Sequence, residues 1–106
     1  VGNLDYQKKG MNLILNENNV TPDMYKTEIL KNICYTELVY ERINKKLKSQ
    51  LSKAEIESLI LKIIEQTQES SFEKTGKNIY ITNQENNIRI TINSYTFRVI
   101  TVDKID

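Results

Sequence analysis

The sequence predicts an α+β domain of two layers, with two to three N-terminal helices packed on one face of an antiparallel β-meander. Three observations carry this. The last third of the chain alternates apolar and polar residues with a period of two. The middle third repeats apolar residues at helical spacing and opens on a strong capping signal at Ser52. Helical material is the only cover the chain offers for the apolar side of such a sheet. The meander has three strands, with room for a fourth.

Residues 1–20 are polar and rich in asparagine, with one apolar island at Leu13, Ile14 and Leu15. They read as a flexible N-terminal extension ahead of a single domain over residues 21–106. The island would add an edge strand or dock on the core. Thr21 and Pro22 form an N-cap with proline at the first helical position, and Asp23 suits the helix dipole. Met24, Ile29, Leu30, Ile33 and Cys34 supply an apolar stripe, which makes a buried, structural thiol the default for Cys34. Thr36 caps a second helix to about residue 47, with Tyr35, Val39, Ile43 and Leu47 at i+4 steps and Leu38 beside them. Periodicity leaves open whether these are two helices or one.

Ser52-Lys53-Ala54-Glu55 is a capping box, and Leu51 with Ile56 makes the hydrophobic staple. This helix carries Ile56, Leu59, Ile60, Ile63 and Ile64 and should run to about residue 68. Residues 69–77 read as a polar connection with a turn at Gly76.

Ile79 and Ile81, then Ile88, Ile90 and Ile92, then Phe97 and Val99 alternate with polar residues. Residues 84–87 form one turn and Ser94-Tyr95 the other. Ser94-Tyr95 is a poor two-residue hairpin, because neither residue is glycine and a primed turn needs positive φ. Taken as a two-residue loop, it sets Thr91 opposite Arg98 and Asn93 opposite Thr96, while Thr82 faces Arg89 and Tyr80 faces Thr91. Opposed side chains share a face. One face then collects Asn78, Tyr80, Thr82, Arg89, Thr91, Asn93, Thr96 and Arg98. A solvated surface is the usual fate of such a face. The alternative is a site for phosphate and ribose, since arginine offers a planar donor fork and tyrosine stacks on bases. Arg89 and Arg98 are two of three arginines in the chain.

Composition bounds the chemistry. Fifteen basic and 14 acidic residues leave a net charge of +1, so nucleic-acid binding must rest on a local patch. A single cysteine allows no intramolecular disulfide and fits a reducing cytosol, and no apolar run is long enough to span a membrane. A cytoplasmic protein is expected. The absence of histidine removes Ser-His and Cys-His nucleophiles, histidine-ligated zinc and histidine acid–base couples. No motif calls for a cofactor or a metal.

Thr75-Gly76-Lys77 is not a phosphate loop, because no earlier glycine stands at the required spacing and a strand follows. Lys77 nonetheless borders the polar face. Glu37 and Glu41 lie one turn apart but precede Lys45, the pattern of a salt-bridged helix surface. Arg42, Lys45, Lys46 and Lys48 form a basic run that would extend a nucleic-acid footprint if it borders the sheet.

The segment Tyr35-Thr36-Glu37-Leu38-Val39-Tyr40-Glu41-Arg42-Ile43, with Gly76-Lys77-Asn78, Arg89-Ile90-Thr91-Ile92-Asn93 and Arg98-Val99-Ile100-Thr101, resembles a small bacterial family known as domain of unknown function 3781. That resemblance covers nearly all of the chain after Thr21 and implies no activity. The layout of helices, Gly-Lys-Asn, an Arg-led strand and a closing Arg-Val-Ile-Thr is also similar to the barnase, colicin and RelE-like ribonucleases, over residues 72–102. This second resemblance implies a phosphate site at Lys77, Arg89, Thr91 and Arg98, with Tyr80 as the available tyrosine. The chain departs from barnase in lacking a histidine acid and a glutamate on the polar face.

The resulting expectation is an RNA-binding or RNA-cleaving domain of the toxin type. Arg89, Arg98, Lys77 and Tyr80 would be catalytic, and Asn78, Thr82, Thr91, Asn93 and Thr96 would bind. The rival is a non-catalytic interaction or regulatory module with a protein partner, such as an antitoxin or regulator. A carboxylate-based metal enzyme ranks below both.

Overall fold

The computed structural model describes residues 22–105. Helix α1 spans Pro22–Asn32, α2 Glu37–Leu47 and α3 Lys53–Gln66. A 3₁₀ turn at Glu69–Ser71 leads into strands β1 (Phe72–Thr75), β2 (Asn78–Asn83), β3 (Ile88–Asn93) and β4 (Val99–Lys104). The strands form one antiparallel sheet in the order β1-β2-β3-β4. The α+β meander therefore stands, and its fourth strand comes from residues 72–75, read above as part of a polar connection. The Thr21 cap and the apolar island at residues 13–15 lie outside the described residues.

Local chemistry explains the helix ends. The Ser52 Oγ accepts the Glu55 N–H at 3.1 Å, and Glu55 Oε1 accepts the Ser52 N–H at 2.8 Å, so the capping box closes as its spacing predicts. At the other end of α3, Lys26 Nζ donates to the carbonyls of Glu65 (2.7 Å) and Thr67 (3.0 Å). A cation from α1 thus satisfies helix-terminal acceptors and ties two helices together.

Between α1 and α2 the chain turns extended, which settles the choice between one helix and two. The Cys34 N–H donates to the Phe97 carbonyl at 3.0 Å, and the Cys34 carbonyl accepts the Val99 N–H at 2.9 Å. This parallel bridge spends backbone groups that a continuous helix would have used internally. It also corrects the expectation for Cys34, which is exposed rather than buried; its Sγ lies 3.5 Å from the Thr96 carbonyl.

Isoleucine dominates the core. Ile29, Val39, Ile43, Ile56, Ile60, Ile63 and Ile64 from the helices meet Ile79, Ile81, Ile90, Ile92 and Val102 from the sheet, all buried. Leu38 departs from this pattern at 76% exposed. Val39 and Ile43 direct α2 onto the core, and Leu38, one residue aside, falls on another face of the helix.

One polar pin crosses between the layers. Asn83, 5% exposed, donates from Nδ2 to the Thr67 Oγ1 at 2.9 Å, and that hydroxyl donates to the Ile63 carbonyl at 2.6 Å. The Asn83 Oδ1 accepts the Asn86 N–H at 2.8 Å, a side-chain-to-backbone bond three residues on that starts the β2–β3 connection.

The β2–β3 register is the expected one, with Tyr80 opposite Thr91 and Thr82 opposite Arg89. The β3–β4 register is not. Thr91 pairs with Thr101 and Arg89 with Asp103, and Ile100 is left over between Val99 and Thr101 as a bulge. The connection is longer than two residues, with Phe97 at φ 60° and not in a strand. The Phe97 N–H donates to the Asn93 carbonyl (2.9 Å), and the Asn93 Oδ1 accepts the Tyr95 and Thr96 N–H groups (2.8 and 2.9 Å). These bonds hold a left-handed aromatic residue that would otherwise be strained. With no glycine at 94 or 95, the tight primed turn gives way to this longer loop. Glycine is present at the β1–β2 turn, where Gly76 takes φ +62° in a two-residue hairpin.

Candidate nucleic-acid interface

The register places the predicted site residues in two groups. Lys77, Asn78, Asn93, Thr96 and Arg98 gather at the end of the sheet formed by the β1–β2 turn and the β3–β4 loop. The Lys77 carbonyl accepts the Ser94 N–H at 2.7 Å, and the Asn93 N–H donates to the Arg98 carbonyl at 3.0 Å. Thr82 and Arg89 sit toward the other end, the Arg89 Nε donating to the Thr82 Oγ1 at 3.2 Å. Arg89 precedes Asn93 by four residues, so the two arginines stand about 13 Å apart along the strand direction. In the expected register Arg98 stands opposite Thr91, two residues from Arg89; the observed register widens that backbone spacing.

Other assignments change role. The Asn93 side chain is spent on the loop. The Asn78 Nδ2 lies 3.3 Å from the Tyr80 hydroxyl. Thr91 is 5% exposed and offers no side chain to solvent. The Thr101 Oγ1 beside it is buried without a hydrogen-bond partner.

What the structure adds is α2. Lys46 Nζ lies 2.8 Å from the Asp103 Oδ1, and Asp103 opposes Arg89 on the polar face. Toward the start of the helix, Thr36, Leu38 and Arg42 line a cleft of about 250 Å³ with Arg98, Val99 and Ile100. Leu38, Arg42 and Lys46 follow at i+4 steps, a single stripe that runs beside β4 from Arg98 to Asp103. The condition set for the basic run is met: it borders the sheet. Lys45 joins Arg42, Lys46, Leu38 and Glu41 around an adjoining hollow. Glu37 does not belong to that surface. It turns to Lys53 of α3 at 2.8 Å. Sequence spacing held the signal for this stripe, because Leu38, Arg42 and Lys46 alternate around α2 with the buried Val39 and Ile43.

Residues 27–103 match the family model described as "Protein of unknown function (DUF3781)". The chain belongs to this family. The match takes in α2, α3, strands β1 to β3, β4 up to Asp103 and every residue of the arginine cleft, so the surface lies within the DUF3781 domain. No curated protein and no solved structure shows a significant similarity to the chain. Among the described residues no helix of the DUF3781 domain is long and apolar enough to cross a membrane, and no three histidine, cysteine, aspartate or glutamate side chains gather as a metal site.

A second cluster, missed from sequence, joins α2 to α3. The rings of Tyr35 and Tyr40 stack at 5.6 Å, the Tyr40 hydroxyl donates to the Glu57 Oε2 at 2.6 Å, and Lys53 Nζ lies 5.3 Å from the Tyr40 ring centroid. Burial pushes the Tyr35 phenol up, reinforced by the charge of Glu57. The hydrogen bond to Glu57 pushes Tyr40 from 10.0 up to about 12. A phenol with a raised folded-state pKa binds its proton more tightly when folded. That contribution is complete below the ordinary value of 10.0 and is lost as pH rises through about 12. Tyr40→Phe should therefore remove one late step from a tyrosinate absorbance titration. It should also flatten the decline in stability between pH 10.0 and about 12.

Proposed function

We propose that this DUF3781 domain is a single-stranded RNA-binding module that works without cutting its ligand. One observation carries the reading: Arg42 of α2 and Arg98 at the head of β4 line one cleft, beside a sheet face that bears Arg89. Arg42, Lys45, Arg89 and Arg98 are all exposed around this surface, against Glu41 and the Lys46-bound Asp103. A chain of net charge +1 thus gathers these cations locally, on a face to which β1 also adds Glu73, opposite Tyr80, a glutamate the sequence did not place there. Polyanion binding draws on such a patch through counterion release. The 13 Å spread of the arginines suits separate phosphates along a strand better than the single charge of a transition state. Leu38, 76% exposed in the same cleft, supplies an apolar contact for a base or ribose.

The test is fluorescence anisotropy with a labelled single-stranded RNA across a salt series. Binding should weaken with log salt by about 0.7 per phosphate neutralised. Arg42→Ala/Arg98→Ala should weaken it about tenfold or more and flatten the slope, with the fold intact by circular dichroism. Salt-insensitive or unaltered binding would reject the reading.

The exposure of Leu38 favours one second reading, an interaction module that docks an acidic peptide with an apolar anchor in the same cleft. Leu38→Asp abolishing a protein complex in a chain that does not bind RNA would select it.

A further inference from the structure

Among the described residues one aromatic side chain stands open to solvent. Tyr95, in the loop between β3 and β4, is 64% exposed, while every other described tyrosine and phenylalanine is half-buried or buried. Phe97, two residues on, packs against the core; Tyr95 leaves its ring in water and forgoes that apolar gain. The loop is held by its own hydrogen bonds. The Asn93 Oδ1 accepts the N–H groups of Tyr95 and Thr96 at 2.8 and 2.9 Å. The Ser94 N–H donates to the Lys77 carbonyl at 2.7 Å, which fastens this loop to the β1–β2 turn. Two cations therefore bracket Tyr95 along the backbone, Lys77 beside Ser94 and Arg98 three residues beyond, and both are exposed. Arg98 also lines the cleft with Leu38 and Arg42, so Tyr95 stands at the margin of that surface.

We propose that Tyr95 is the base-stacking platform of the RNA-binding surface, taking one unpaired base of the strand on its ring between phosphates held by Lys77 and Arg98. This rests on the RNA reading above. Every base has a π-face, so a tyrosine platform tolerates any sequence. It does require a base whose face is uncovered. In a duplex each base is already stacked on its neighbours, so the platform selects single-stranded loops and ends. A loop fixed before binding loses little freedom when the base arrives. Stacking also differs from the arginine contacts in kind. It displaces no counterions, so its contribution does not follow log salt as phosphate contacts do.

The experiment repeats the anisotropy salt series with the labelled single-stranded RNA, using the full chain, Tyr95→Ala and Tyr95→Phe. Alanine keeps the backbone N–H that Asn93 accepts and replaces an exposed side chain, so circular dichroism should show the fold intact. Tyr95→Ala should weaken binding about tenfold at every salt concentration, giving a line parallel to that of wild type. Tyr95→Phe, which keeps the ring, should recover most of the loss. Unchanged affinity in Tyr95→Ala, with wild type binding in a salt-dependent way, would overturn the platform and leave the RNA reading standing. Weaker binding with a flattened slope would also overturn it, because the residue would then be placing Lys77 and Arg98 rather than stacking. A phenylalanine variant as weak as alanine would overturn it in favour of a contact through the hydroxyl. Failure of wild type to bind the RNA would overturn the RNA reading, and the platform with it.

Discussion

An Ile90→Ala variant is expected to lose about 3 kcal/mol of stability, inside the roughly 2–5 kcal/mol range for deep isoleucine truncations. Ile90 is fully buried in a central strand, opposite Ile81 on one side and Val102 on the other, with the isoleucines of α3 across the layer. Its neighbours are held by two ladders and a capped helix, so the cavity has little freedom to collapse. A domain of this size has a margin of only about 5–15 kcal/mol. Urea denaturation should show a lower midpoint at an unchanged slope, which marks a loss of stability rather than of compactness. A cost below about 1 kcal/mol would mean that the sheet moves in to fill the space. That outcome would contradict the tight two-layer packing described above.

Asn83→Ala should cost about 2 kcal/mol, for a different reason. Asn83 brings no apolar area to the core. Its loss strips the buried Thr67 hydroxyl of its donor, and a buried group left unpaired costs roughly 1–3 kcal/mol, while the Asn86 N–H, in an exposed turn, exchanges its acceptor for water at little cost. Thr67→Val removes the other end of the same bond. The two changes share a partner, so the double variant should cost less than the sum of the singles by at least about 0.5 kcal/mol. Simple additivity in equilibrium unfolding would show that the pin is not the connection between α3 and β2 that its geometry indicates.

Much of this molecule is legible in the residues. The Ser52 capping box starts α3 where the spacing places it, because the two hydrogen bonds are local and need no tertiary partner. Strands β2 and β3 have the predicted register, because a one-residue slip would put their isoleucines in water. The split between α1 and α2 was left open by periodicity and decided by a contact between Cys34 and Arg98, 64 residues away in the chain. Strand β1 went unseen because Phe-Glu-Lys-Thr has one apolar residue. A short, charged edge strand of this kind discourages further pairing and carries little pattern of its own.

The candidate site divides in the same way. Residue types and face alternation are properties of the sequence by itself, and they marked Arg89, Arg98 and Lys77 and noted the basic run of α2. Which of these meet was a tertiary decision. It turned on a loop without glycine, where Phe97 takes positive φ and the bulge at Ile100 shifts β4 against β3. That shift put Asp103 opposite Arg89, carried Arg98 away from it, and placed Arg98 in one cleft with Arg42. Local periodicity determines which side of a strand or helix a residue occupies. The length and hydrogen bonding of one turn determine which residues stand across from it, and only long-range packing supplies those.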